Sequence, residues 1–134
     1  MQSIADFQLG PTAKGVAALS LSACARYVAV ADMSNDNIVY VYNVERNKML
    51  LVHSSGSSPI STIQWSGREN DLKFVALTST GVQFWNPANS NSQLIKKGEF
   101  RKYDEVKLNC ASYDEDGVCY TGAVDGSIYV WDQK

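Results

Sequence analysis

Three strand-like segments end in an aromatic residue followed by Asn or Asp, and they recur at a nearly constant interval. They are Ile38–Asn43, Gly81–Asn86 and Ser127–Asp132, with Tyr42, Trp85 and Trp131 as aromatic ends, 43 and 46 residues apart. A repeat of about 40–45 residues restricts the fold, because one unit cannot bury its own apolar face and neighbouring units must stack. The last copy is the clearest. Tyr120–Ala123 and Ser127–Trp131 flank an Asp125-Gly126 pair, and two β-rich runs around Asp-Gly are a strong hairpin signal.

Each unit divides into short apolar runs. Unit one has Val16–Leu21, Tyr27–Ala31, Ile38–Asn43 and Lys48–Val52; unit two has Ile60–Trp65, Lys73–Thr78, Val82–Trp85 and Leu94–Phe100. Unit three has only three runs, Leu108–Tyr113, Val118–Ala123 and Ser127–Trp131. Turn residues separate them, as in Ser34–Asn37, Ser55–Pro59, Asn86–Asn91 and Asp114–Gly117. No segment carries a sustained helical period, so the chain reads as all-β. Ile4–Leu9 alternates apolar and polar before Gly10-Pro11. It reads as the outer strand of a unit preceding unit one, which brings the expectation to twelve strands.

Composition limits the function classes. Of 134 residues 45% are hydrophobic and 19% charged, as in an ordinary globular chain. A net charge of -2 argues against a nucleic-acid partner, which needs a concentrated basic face. No apolar run approaches the ~20 residues of a membrane-spanning helix, and Met1–Asp6 lacks the pattern of a secretory signal. Cys24, Cys110 and Cys119 form no Cys-x-x-Cys pair, and there is no Asn-x-Ser/Thr site. A reducing, cytoplasmic setting without structural zinc is expected.

The period and the Trp131-Asp132 ending resemble WD-repeat blades. Within that class the chain is similar to the echinoderm microtubule-associated protein-like (EMAP-like) family. The supporting stretches are Lys73–Asn86 followed by Leu94–Phe100, and Gly15–Ser20 with Ala29–Ala31. The resemblance implies a WD40-type β-propeller of about three four-stranded antiparallel blades. Residues 1–10 would be the outer strand of a preceding blade, 16–53 blade one, 60–100 blade two and 106–134 an incomplete blade three. Propellers close at about four to eight blades, so three leave two open flanks. The chain is then expected to be part of a larger propeller, or half of a six-blade ring closed by a second copy. The resemblance further implies a non-catalytic protein-interaction scaffold in a microtubule-associated protein, at the cytoskeleton or in a cilium. Its partner would be tubulin or microtubules, with no cofactor, nucleic acid or membrane. The alternatives are a WD-repeat adaptor for another protein complex and, from another class, a β-scaffold hydrolase.

WD-repeat blades often carry a structural hydrogen-bond network, and the resemblance places Thr121, Asp125, Trp131, Trp85 and His53 in it. His53 is the only histidine. It cannot serve a multi-histidine metal site, and no Gly-x-Ser-x-Gly elbow supports a catalytic triad. Asp114-Glu115-Asp116-Gly117 invites a calcium reading, yet no glutamate follows to close such a loop. It reads as a solvated hairpin turn, as do Asp32 and Asp36. Lys96, Lys97, Arg101 and Lys102 form the dense basic cluster. They could meet an acidic protein surface or simply protect an exposed strand edge.

Overall fold

The computed structural model describes residues 1–3, 6–89, 91–100 and 106–132. Three antiparallel sheets follow one another along the chain. The first is β1 (Val16–Leu21), β2 (Tyr27–Asp32), β3 (Ile38–Asn43) and β4 (Lys48–Ser54), in that order. The second is β5 (Ile60–Trp65), β6 (Phe74–Thr78), β7 (Gly81–Trp85) and β8 (Ile95–Lys97). The third holds β9 (Leu108–Tyr113), β10 (Cys119–Ala123) and β11 (Ile128–Trp131). These are blades of a partial β-propeller, all-β as expected and not closed into a barrel.

Local chemistry explains where the strands turn. Between β9 and β10 the Asp114 carboxylate accepts the N–H groups of Asp116 and Val118, both at 2.9 Å. Between β10 and β11 the Gly126 N–H reaches the Ala123 carbonyl at 3.2 Å, and Gly126 has φ 89°. That backbone angle suits glycine at little cost. The Asn37 and Asn47 turns also enter the left-handed region, at φ 47° and 52°, which asparagine tolerates better than most residues.

Strand alternation gives each sheet a front face, toward the next sheet, and a rear face. Ala29, Ala31, Val39 and Val41 on the front of the first sheet pack against Ile63, Trp65, Phe74, Ala76 and Trp85 on the rear of the second. Val75, Leu77 and Val82 on the front of the second pack against Leu108, Cys119 and Trp131 of the third. Strand β6 is buried throughout because both of its faces meet a neighbour. The front faces of the first two sheets are mainly aliphatic, with Tyr27 and Phe84 as their rings, while the rear face of the second carries Trp65, Phe74 and Trp85. Trp65, Phe74 and Trp85 form one ring series, with centroids 4.9 and 5.5 Å apart.

Some strand expectations need revision. The outer run of unit two, expected over Leu94–Phe100, forms a strand only at Ile95–Lys97, after a 3-10 turn at Asn91–Gln93. Leu94 is buried in the first core instead. Of the segment 4–9, residues 4 and 5 lie outside the described residues, and residues 6–9 join no ladder among the described residues. Phe7 nevertheless packs on Tyr42 at 5.1 Å, and the Tyr42 hydroxyl donates to the Gln8 carbonyl at 2.8 Å.

Candidate functional site

Trp131 is set at the end of β11 by its pairing with Cys119. Its indole N–H donates to the Thr121 hydroxyl at 2.8 Å, inside the second core. The Phe84 and Phe100 rings pack on it at 5.6 and 5.2 Å. Gly98 lies so close that an added Cβ would come within 2.8 Å of the indole and would also meet Val82. The Asp125 carboxylate accepts the Ser127 N–H at 2.9 Å and fixes the adjoining turn.

In the second sheet Trp85 occupies the matching place, but its indole N–H goes to Gln83 Oε1 at 3.1 Å. Gln83 in turn donates through Nε2 to the Ser55 carbonyl at 2.7 Å, tying the second sheet to the end of the first. The sequence reading missed Gln83. Its position two residues before Trp85, inside a buried apolar strand, was the available signal, since a buried amide needs partners. His53 meets Trp85 edge-on at 5.9 Å, and its Nδ1 is 2.7 Å from the Ser54 carbonyl. The histidine ring thus packs against the Trp85 indole.

Asp32 corrects the expectation of a solvated turn. It is only 1% exposed. Its Oδ1 accepts the Ser34 hydroxyl at 2.6 Å, the Ser34 N–H at 3.1 Å and the Ile38 N–H at 2.9 Å, and the Tyr40 hydroxyl reaches Oδ2 at 3.4 Å. Burial, and then the Asp32 charge, push the Tyr40 phenol above its ordinary pKa. Among the described residues no buried side-chain nitrogen or oxygen lacks a partner. None of their His, Cys, Asp and Glu side chains cluster as a metal site. Burial raises the Cys119 thiol to about 12, so it stays protonated.

The surface groups lie elsewhere. Lys96 and Lys97 sit side by side on β8, both exposed, opposite Phe84 and Gln83. Arg101 and Lys102 lie outside the described residues. A cleft of about 330 Å³ opens between β8 and the end of β11, lined by Lys73, Lys96, Lys97, Asn86 and Asn89, with Glu99 and Asp132 also on its wall. The sequence cluster thus becomes two described cations on an outer rim.

No protein-family model matches the chain. Among curated proteins it is 25% identical over 126 residues to the ciliary WD repeat-containing protein ctxp80 of Euplotoides octocarinatus, covering 93% of this chain. It is 28% identical over 135 residues to the 77 kDa echinoderm microtubule-associated protein of Strongylocentrotus purpuratus, covering 98%. Echinoderm microtubule-associated protein-like 3 of Mus musculus is 30% identical over 135 residues, covering 94%. The chain is similar to WD-repeat proteins of the EMAP-like family. It spans 18%, 19% and 15% of those relatives' lengths. None of their names describes a catalytic activity. Among solved structures the computationally designed Ika8 protein superposes with a TM-score of 0.63 at 19% identity, over 87% of this chain and 33% of that one. That likeness concerns the fold alone.

Proposed function

We propose that this chain is a non-catalytic protein-interaction module of a microtubule-associated WD-repeat protein, acting at the cytoskeleton or in a cilium. The similarity over nearly the whole chain to proteins named for microtubule association carries this reading. Stacked sheets with aromatic cores hold a rigid surface, and Lys96 and Lys97 project from its rim, where neither forms an ion pair with a described residue. Exposed cations raise the encounter rate with an acidic surface and lose that effect as salt screens them. The same reading makes Thr121, Trp131, Trp85 and His53 structural members of the blades and leaves no role for a cofactor.

Co-pelleting with purified microtubules at low and high salt tests the proposal. The chain should sediment with microtubules at low salt, and Lys96→Glu/Lys97→Glu should weaken that binding several-fold without altering the circular-dichroism spectrum. A folded chain that stays in the supernatant at every salt concentration would refute the microtubule partner. Unchanged pelleting of the double variant would remove the lysines from the contact.

A further inference from the structure

Between the β4–β5 loop, the β6–β7 turn and the end of β8 lies a second cleft, of about 300 Å³. That is the lower end of ligand-sized clefts, which run about 300–1,000 Å³. Its walls are fixed from within. The Ser55 N–H and hydroxyl donate to the Asn37 carbonyl at 3.0 and 2.7 Å, and Asn37 Nδ2 donates to the Gly56 carbonyl at 2.9 Å. The Ser79 N–H reaches the Pro59 carbonyl at 3.0 Å, and Gln83 holds the Ser55 carbonyl at 2.7 Å. The loop is thus tied to the turns on both sides of it. A group entering the cleft meets polar atoms that are already ordered, which favours binding.

The hydroxyl protons show what the cleft can accept. The Ser55 proton goes to the Asn37 carbonyl, and the Thr78 proton to the Gly81 carbonyl at 3.2 Å. Ser58 and Thr80 face one another at 2.8 Å; a hydroxyl pair shares one proton and leaves the other free to donate. Ser57, exposed beside them, brings a further hydroxyl. Lys97 is the charged side chain on the wall, and among the described residues no carboxylate lines it. The cleft between β8 and the end of β11, by contrast, has Glu99 and Asp132 beside its lysines.

Alternation along β8 separates the two lysines. Lys97 lies opposite Gln83, on the side of the first sheet, and Lys96 lies opposite Phe84. Of the two, Lys97 alone borders the hydroxyl-lined cleft.

We infer that this cleft receives a carboxylate side chain from an extended acidic segment of a protein partner. Lys97 is its counter-ion, and Ser57 and the Ser58–Thr80 pair are its hydrogen-bond donors. An ionised carboxylate only accepts hydrogen bonds and carries a single charge, which a lone lysine among neutral hydroxyls matches. A phosphate, at about −1.5 to −2 near neutral pH, would be left under-compensated there. The acidic nature of the partner rests on the proposed function; the cleft, its donors and the inequality of Lys96 and Lys97 go beyond it.

Titration of the full chain with dye-labelled hexaglutamate, read by fluorescence anisotropy and by amide chemical shifts, tests the site. The peptide should bind at low salt and be released as salt rises, with the shifts concentrated at residues 56–58, 80, 81 and 97. Lys97→Gln should raise its dissociation constant about fivefold, whereas Lys96→Gln should leave it within about a factor of two. Thr80→Val, at an exposed position, should weaken binding about threefold through the lost hydroxyl. No binding by the wild type, equal losses for Lys96→Gln and Lys97→Gln, shifts confined to another face, or equally strong binding of inorganic phosphate would each overturn the inference. Hexaglutamate bound through Lys97 by a chain that does not pellet with microtubules would keep the cleft and remove the microtubule partner. Pelleting by a chain that binds no hexaglutamate would do the reverse.

Discussion

Replacing Thr121 with valine tests whether the indole bond in the third sheet carries stability. Valine keeps the volume and the β-branched shape but removes the acceptor of the Trp131 N–H, which lies 2.8 Å from the Thr121 hydroxyl. Both residues are buried, at 1% and 9% exposure. An indole donor left without a partner costs its desolvation, about 1–3 kcal/mol. Thr121→Ser supplies the contrast, since it keeps the acceptor and loses one methyl group, worth about 0.8 kcal/mol. The expected order of stability is wild type, then serine, then valine. At roughly 3–5 °C per kcal/mol for a domain of this size, valine should lower the melting temperature by several degrees. Urea unfolding followed by tryptophan fluorescence, at one fixed protein concentration because association shifts apparent stability, measures it. If valine proved as stable as wild type, or more stable than serine, the hydrogen bond would contribute nothing net and the reasoning would fail.

Two further outcomes follow from neighbouring geometry. Gly98→Ala would push a Cβ against the Trp131 ring and Val82; overpacking of this kind costs ~1–3 kcal/mol, and a urea midpoint equal to wild type would show that the contact relaxes freely. The Asp114 carboxyl is held below its ordinary value, first by the Val118 N–H and then by Tyr120 and further backbone N–H groups. A depressed folded pKa contributes stability that is present above the unfolded value near 3.8 and is lost as pH falls through the folded one. Asp114→Asn should therefore flatten the acid limb of the stability curve below that pH, and an acid limb identical to wild type would remove Asp114 as a contributor.

The repeat was legible because it rests on two local signals, strand alternation and turn residues, that any single unit displays. Asp125-Gly126 and Asp114–Gly117 mark their hairpins from sequence, and both turns fold with the carboxylate capping backbone N–H groups. Asp32 looks the same in sequence, yet the first sheet buries it, because Ser34, Ile38 and Tyr40 all converge on it across the turn. Convergence of that kind is a tertiary property. The outer strand of unit two shortened for a related reason: Leu94 turns into the core through the 3-10 segment, so apolar character there marked burial rather than strand.

The polar atoms of the large rings carry the same lesson further. Each blade needs an aromatic residue at the end of its third strand, and each such ring must satisfy one donor in a dry setting. Trp131 uses Thr121, Trp85 uses Gln83, and Tyr42 uses the Gln8 carbonyl. The requirement is constant while the partner changes, which is why the aromatic period can be read from one sequence and the network cannot. Tyr42 differs in one respect that matters. Its acceptor comes from the segment before the first sheet, not from a strand of that sheet. The first sheet is thus complete only with an outer-strand segment laid against its rear face, and the same place leaves Leu19 and Leu21 bare.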